Sequence, residues 1–346
     1  MCTFLLGYFT ETQLRSRLLS ISQSGDGLRG SQTDRKVEEM VEGALAILSG
    51  VGLVGVGFCL GIWIGAILWN DQTSQLVRKL IQAVGGERQE IVTFKGFDQL
   101  PPPVATYFRR TLRRGQPIIR SARIIQEGEL CRAEDAWSPF EAKQYFSARP
   151  PGFVWDATVR MSSVMRVRVR DAYVAGEGSM QAKILSLVPL VDASHSAELN
   201  AAALQRYLAE AVWFPTALLP GEGVKWSALD DNRALATITD AGITVSMEFH
   251  FSDAGEITGV FTPGRYREVN GKYELTPWRG HFRNYAESDG MRIPLEAVVE
   301  WQLPDGPLPY WKGRILEVQY RTDSLADQST AGPYEETARD SQRRVA

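Results

Sequence analysis

The chain has 346 residues, a formal charge of -3, 44% hydrophobic residues and 23% charged residues. Such a composition excludes collagen-like, coiled-coil, fully disordered and nucleic-acid-coating chains. Three cysteines and three histidines exclude a disulfide scaffold and leave little material for a cysteine- or histidine-rich zinc module.

Residues 1–42 are polar and without period, as expected of a disordered segment or an over-extended start. Met40 stands almost directly before an apolar run. From Gly43 to Trp69 there are 27 residues with no charge, and Ser49 is the one ordinary polar side chain. About 20 residues cross the hydrocarbon as a helix, so 43–69 is read as a transmembrane helix and the chain as a single-pass protein of the cell membrane. The run is too long for a cleaved signal, and no small-x-small site follows it. Gly57, Gly61 and Gly65 recur every four residues. On one helix face they would admit a second helix, which makes a homodimer through the span an expected partnership beside the bilayer itself. Basic residues tie across the span, with Arg29, Arg35 and Lys36 before it and Arg78, Lys79 and Arg88 after it. Charge therefore leaves the side open. A start at Met40 would remove the first three and place the large domain in the cytoplasm.

Residues 70–90 read as a basic juxtamembrane linker, part of a stretch (71–125) with ten Lys/Arg and four Asp/Glu that suits anionic headgroups. Residues 91–320 read as one β-rich domain and 321–346 as a disordered tail. Within the domain, Pro101-Pro102-Pro103 precedes a short helix, 104–114. Residues 159–170 alternate as a strand, with Val159, Val167 and Val169 on one face and Arg166, Arg168 and Arg170 on the other. Asp171 reads as leading out of that strand. A helix is expected over 197–213, with Leu204, Leu208 and Ala211 as its apolar stripe, Ser194 or Ser196 as its cap and Pro215 as its stop. Strands follow at 234–239, 243–251, 257–261, 265–275, 278–286, 292–302 and 311–320, most of them separated by glycine-containing turns. The fold class expected is α+β: a single transmembrane helix, then a curved, mainly antiparallel sheet with a few packed helices.

Pro-Pro-Gly-Phe-Val-Trp (150–155), Arg-Tyr-Leu-Ala-Glu-Ala-Val-Trp-Phe-Pro-Thr-Ala-Leu-Leu-Pro (206–220), Pro-Trp-Arg-Gly (277–280), Tyr285, Gly290, Arg292-Ile293-Pro294 and Trp301 together resemble a prokaryotic family known only as a domain of unknown function. The resemblance covers roughly residues 95–320. It implies, more loosely, the half-barrel of lipoprotein carriers, in which a curved sheet wraps helices and an apolar cavity. No activity comes with it.

Seven tryptophans lie between 137 and 311 and are expected mainly to fill the core, with some lining an apolar ligand cavity. The candidate ligand-binding residues are Arg166, Arg168, Arg170, Arg206, Glu210, Trp213, Trp278 and Tyr285. The arginine ladder suits an anionic headgroup, and the Arg206–Glu210 pair suits orienting a ligand if its helix packs inside the sheet. Asp192, Ser194 and His195 lack the nucleophile elbow of a hydrolase. Glu248, His250 and His281 lack a metal-ligand spacing. No catalytic residue, metal, cofactor or nucleic-acid partner is expected. The leading reading is a membrane-anchored, non-catalytic binding module for a lipid or other apolar ligand. A hydrolase of lipid or envelope substrates and a membrane scaffold are the alternatives.

Overall fold

A computed structural model describes residues 30–84, 90–133 and 136–322. Of the expected N-terminal segment 1–42 and tail 321–346, residues 1–29 and 323–346 lie outside the described residues, and 30–42 are helical. The helices are α1 (Gly30–Gln82), α2 (Pro102–Thr111) and α3 (Ala197–Glu210). The strands are β1 (Ser121–Ala133), β2 (Ala136–Ser147), β3 (Gly152–Arg160), β4 (Arg166–Val174), β5 (Glu177–Ile184), β6 (Val188–Ser194), β7 (Val224–Ala228), β8 (Arg233–Asp240), β9 (Ile243–Phe251), β10 (Ile257–Val269), β11 (Lys272–Ser288), β12 (Met291–Leu303) and β13 (Gly306–Arg321). Two compact units divide α1: residues through Gly61 form the first, and Ile62 onward belongs with the sheet.

In the first unit, bulky apolar side chains such as Leu53 and Val54 are each 74% exposed. Among the described residues, α1 is the one helix long and apolar enough to cross a membrane. By itself that is compatible with a single-pass anchor or a signal sequence. The linker expected over 70–90 is helical through Gln82.

In the second unit, thirteen strands form one sheet in the order β6-β5-β4-β3-β2-β1-β13-β12-β11-β10-β9-β8-β7, with antiparallel neighbours. Two meanders, β1–β6 and β7–β13, meet at the β1–β13 seam. Between them the chain crosses the inner face as α3 and a series of short 3-10 turns. α3 touches β3, β4 and β5 of one wing and β9 and β10 of the other, so the sheet curves around it. The wings also meet directly, where the Tyr173 hydroxyl donates to Asp240 at 2.7 Å.

Sequence explains most of these elements. Asn270-Gly271, with φ of 51° and 77°, is the left-handed pair that a two-residue hairpin with the right twist requires. It splits the expected 265–275 strand between β10 and β11. Ser196 caps α3, accepting from the Leu199 amide at 3.0 Å. Ser196→Ala should lower stability by about 1 kcal/mol, read as a shift of the urea midpoint. The expected strand 159–170 is instead a hairpin. Ser162 Oγ accepts from the Val164 and Met165 amides, closing a loop between β3 and β4. Antiparallel pairing then sets Val159 opposite Val167 and Arg160 opposite Arg166. Paired residues share a face, so the alternation survives the turn. Asp171 consequently lies inside β4, and the chain turns at Ala175-Gly176.

Candidate functional site

The inner face carries an apolar core of both wings and α3, crossed by a polar chain. Trp155 Nε1 donates to Gln126 Oε1 at 3.0 Å, Gln126 to Gln144 Oε1 at 2.9 Å, and Gln144 to Glu210 Oε2 at 2.6 Å. Arg206 donates to Glu210 Oε1 at 2.9 Å and to Asp171 Oδ2 at 2.6 Å. Its guanidinium also lies over the Phe153 and Trp155 rings, 4.9 and 5.2 Å from their centroids. Burial works against the Arg206 charge, but Glu210 and Asp171 hold it above the ordinary guanidinium range. Burial raises the Glu210 carboxyl, against the lowering influence of Arg206. Both Glu210 oxygens accept hydrogen bonds, so this network is a satisfied buried structure rather than a poised base.

Above the network lies a cavity of about 310 Å³ lined by α3, β1, β3–β6 and β10–β13. Its wall carries Trp155, Trp213, Trp278, Trp301, Tyr310 and Trp311, together with charged groups such as Asp171, Glu210, Arg267 and Glu268. Arg265 stands between two of them, 5.0 Å from the Trp278 centroid and 5.6 Å from that of Trp301. It donates to the Tyr310 hydroxyl at 3.1 Å and to the Ala202 carbonyl at 3.3 Å. Three of the residues that line the cavity hold a donor, Trp213 Nε1, Trp311 Nε1 and Arg265 Nε, that is buried without a hydrogen-bond partner in the protein. Leaving one such group unpaired costs about 1–3 kcal/mol.

Four of the eight candidate ligand residues line this cavity: Arg206, Glu210, Trp213 and Trp278. Tyr285 does not, and its hydroxyl donates to the Ile257 carbonyl at 2.7 Å. Five of the seven tryptophans face the cavity. Trp226 packs edge-on against Phe249 in the core, and Trp137 lies under Lys312. Arg265 and Asp171 escaped the sequence reading. Pro263-Gly264, where the β10–β11 register shifts, is the local signal that marks the strand around Arg265 as special.

The arginine ladder lies on the opposite, outer face. Trp69 is buried there, donating from Nε1 to Asp156 at 2.8 Å. Arg170 stacks on its ring at 4.4 Å and donates to the Trp69 carbonyl, Thr73 and Gln181. Arg168 bonds Asp156 at 2.9 Å and Asn70 at 3.1 Å. Two to three turns beyond Trp69, Val77, Leu80 and Ile81 pack on Val154, Ala172 and Val174. Arg168 and Arg170 thus clamp α1 to the sheet, and Arg166 alone stays exposed. Of the glycine stripe, Gly57 is open, whereas a Cβ on Gly65 would sit 2.6 Å from the Ser186 carbonyl oxygen.

Residues 98–320 match the family of unknown function DUF6920. The chain belongs to this family. The DUF6920 match spans the whole sheet, in agreement with the motifs that suggested such a family. No curated protein matches the chain. Among solved structures, a LolA superfamily protein from Nitrosomonas europaea is similar at 8% identity and a TM-score of 0.31, over 63% of this chain and 92% of that one. A beta-barrel-like protein of the domain of unknown function DUF1849 from Brucella abortus is similar at 10% identity and a TM-score of 0.20, over 59% and 99%.

The hydrolase and metal candidates do not assemble. His195 is exposed at the start of the α3 cap, and Asp192 accepts from Gln181. His250 and His281 flank Gly259 from either side of β10. Among the described residues, no three His, Cys, Asp or Glu side chains converge as metal ligands.

Proposed function

We propose that this DUF6920 chain is a single-pass membrane protein whose curved sheet holds an amphiphile with an apolar body and acceptor oxygens, such as an acyl ester or carboxylate. The observation that carries this reading is the cavity lined by five tryptophans and Arg265, in which Trp213, Trp311 and Arg265 each keep a buried N–H without a partner in the protein. An apolar wall with a few placed polar groups is how small-molecule sites are built. Three of the lining residues keep an N–H without a partner in the protein, which suits a ligand that offers acceptor oxygens. Anchoring is supported by the uncharged 43–69 stretch and by the exposure of its bulky side chains, which lipid would cover.

Binding is tested by titrating the full chain in detergent with a doxyl-labelled monoacylglycerol and following quenching of tryptophan emission. Saturable quenching is expected. Trp213→Phe keeps the ring and removes one donor, so affinity should fall about five- to tenfold, the equivalent of one hydrogen bond of about 1 kcal/mol. Arg265→Met should act in the same direction. Unsaturable quenching, or equal affinity in both variants, would remove the reading and favour a scaffold.

A further inference from the structure

We infer that the turn between β5 and β6, together with the loop between β3 and β4, rests in the lipid interface beside the membrane helix. This rests on the anchored reading above. Its own evidence is a contact and two exposed apolar tips.

The contact fixes depth. Gly65 lies within the uncharged stretch, four residues before its last residue, Trp69. At 1.5 Å of rise per residue, that is about 6 Å along the helix. The Ser186 carbonyl approaches so closely that a Cβ on Gly65 would stand 2.6 Å away. The β5–β6 turn is therefore level with the apolar part of the helix, not with the polar part that follows it. Trp69, clamped by Arg170 and Asp156, keeps that level fixed.

The tips suit lipid. Leu187, Val188 and Leu190 are 41%, 52% and 54% exposed, and Val164 on the neighbouring loop is 79% exposed. Both tips lie at the same end of these strands: Arg160 pairs with Arg166, and the Leu185 amide donates to the Arg166 carbonyl at 2.9 Å. Leu185 and Ser186 both have left-handed φ, at 50° and 62°. This conformation is costly for a leucine, and it holds the turn in a defined shape. Arg160, Arg166 and Lys183 lie on the strands beside these tips; Arg160 pairs with Glu141 at 3.6 Å, Lys183 lies over the Trp69 ring, and Arg166 is exposed. Basic side chains bordering an apolar tip complement an anionic leaflet, with each charge contributing near the surface. Arg166, which the clamp does not use, thereby gains a headgroup role. Pro189 interrupts the free edge of β6 and disfavours a second strand as the occupant.

The test uses the full chain with Cys2, Cys59 and Cys131 replaced by alanine, in liposomes of phosphatidylcholine and phosphatidylglycerol containing a doxyl-labelled lipid. A polarity-sensitive bimane is attached in turn to Leu53→Cys in the span, Val188→Cys at the start of β6 beside the turn and Leu229→Cys on the β7–β8 connection. Val188 is expected to show blue-shifted emission and loss of emission to the doxyl lipid, as Leu53 does, while Leu229 shows neither. Exchanging phosphatidylglycerol for phosphatidylcholine should weaken quenching at Val188 and leave Leu53 unchanged. If Leu53 is quenched and Val188 behaves like Leu229, the interfacial turn is overturned and the anchor stands. If Val188 is quenched and Leu53 is not, the turn meets lipid and the anchor fails. Quenching at neither site removes both.

Discussion

Arg206→Met should cost about 3–5 kcal/mol of stability, the loss expected when one partner of a buried ion pair is removed. Methionine fills part of the side chain's volume but loses the guanidinium that lies over Phe153 and Trp155, and Glu210 and Asp171 are left without their shared cation. Urea unfolding of the full chain in detergent measures it. The pH dependence separates charge from packing. Burial already raises Glu210, and Arg206 is the main group opposing that rise. In the variant the folded-state pKa goes further above the unfolded value. The folded variant then binds more protons than the unfolded one, so its stability rises as pH falls towards and below that pKa. The deficit against the parent chain should shrink on acidification. A deficit independent of pH would assign the loss to packing alone.

Gly128→Val should be the most damaging single change. Gly128 on β1 faces Gly313 on β13, at the seam that joins the two meanders. A Cβ there would stand 2.7 Å from the Gly313 Cα and 2.8 Å from the Phe140 ring, with the Lys312 carbonyl closer still. Phe140 in turn stacks on Trp311 at 5.8 Å, and the Trp311 ring covers Gly313. Neither backbone nor stacked ring can move without opening the seam. A loss above about 4 kcal/mol, or failure to accumulate folded protein, is expected. Gly128→Ala should fall between the valine variant and the parent, because alanine brings the same Cβ without the branches. Folded yield in detergent and the urea midpoint measure both. A valine variant with the parent's midpoint would show that the seam is slack.

Much of the fold was legible in the sequence because its signals are local. The uncharged 43–69 stretch, the alternation of β9, the X-Gly turns and the Ser196 cap each lie within a few residues of what they specify. Misreadings arose where pairing mimics continuity, as at the β3–β4 hairpin, whose facing valines and arginines read as one long strand. The lining of the candidate cavity was partly legible. Arg206, Glu210, Trp213 and Trp278 stand out because they sit in dense motifs. Arg168 and Arg170 were expected to meet a headgroup, but their partner is Trp69, about a hundred residues earlier. Unpaired donors such as Trp311 Nε1 are defined only by what surrounds them in three dimensions.

The central claim is that the sheet encloses a place for an amphiphile. Native mass measurement of the full chain, released from its membrane in mild detergent, tests it most directly. A bound acyl-ester or carboxylate species is predicted. It should be lost from Ala202→Phe, where the new ring enters the cavity from α3. The bare chain mass alone, in a preparation that keeps its fold, would contradict the account.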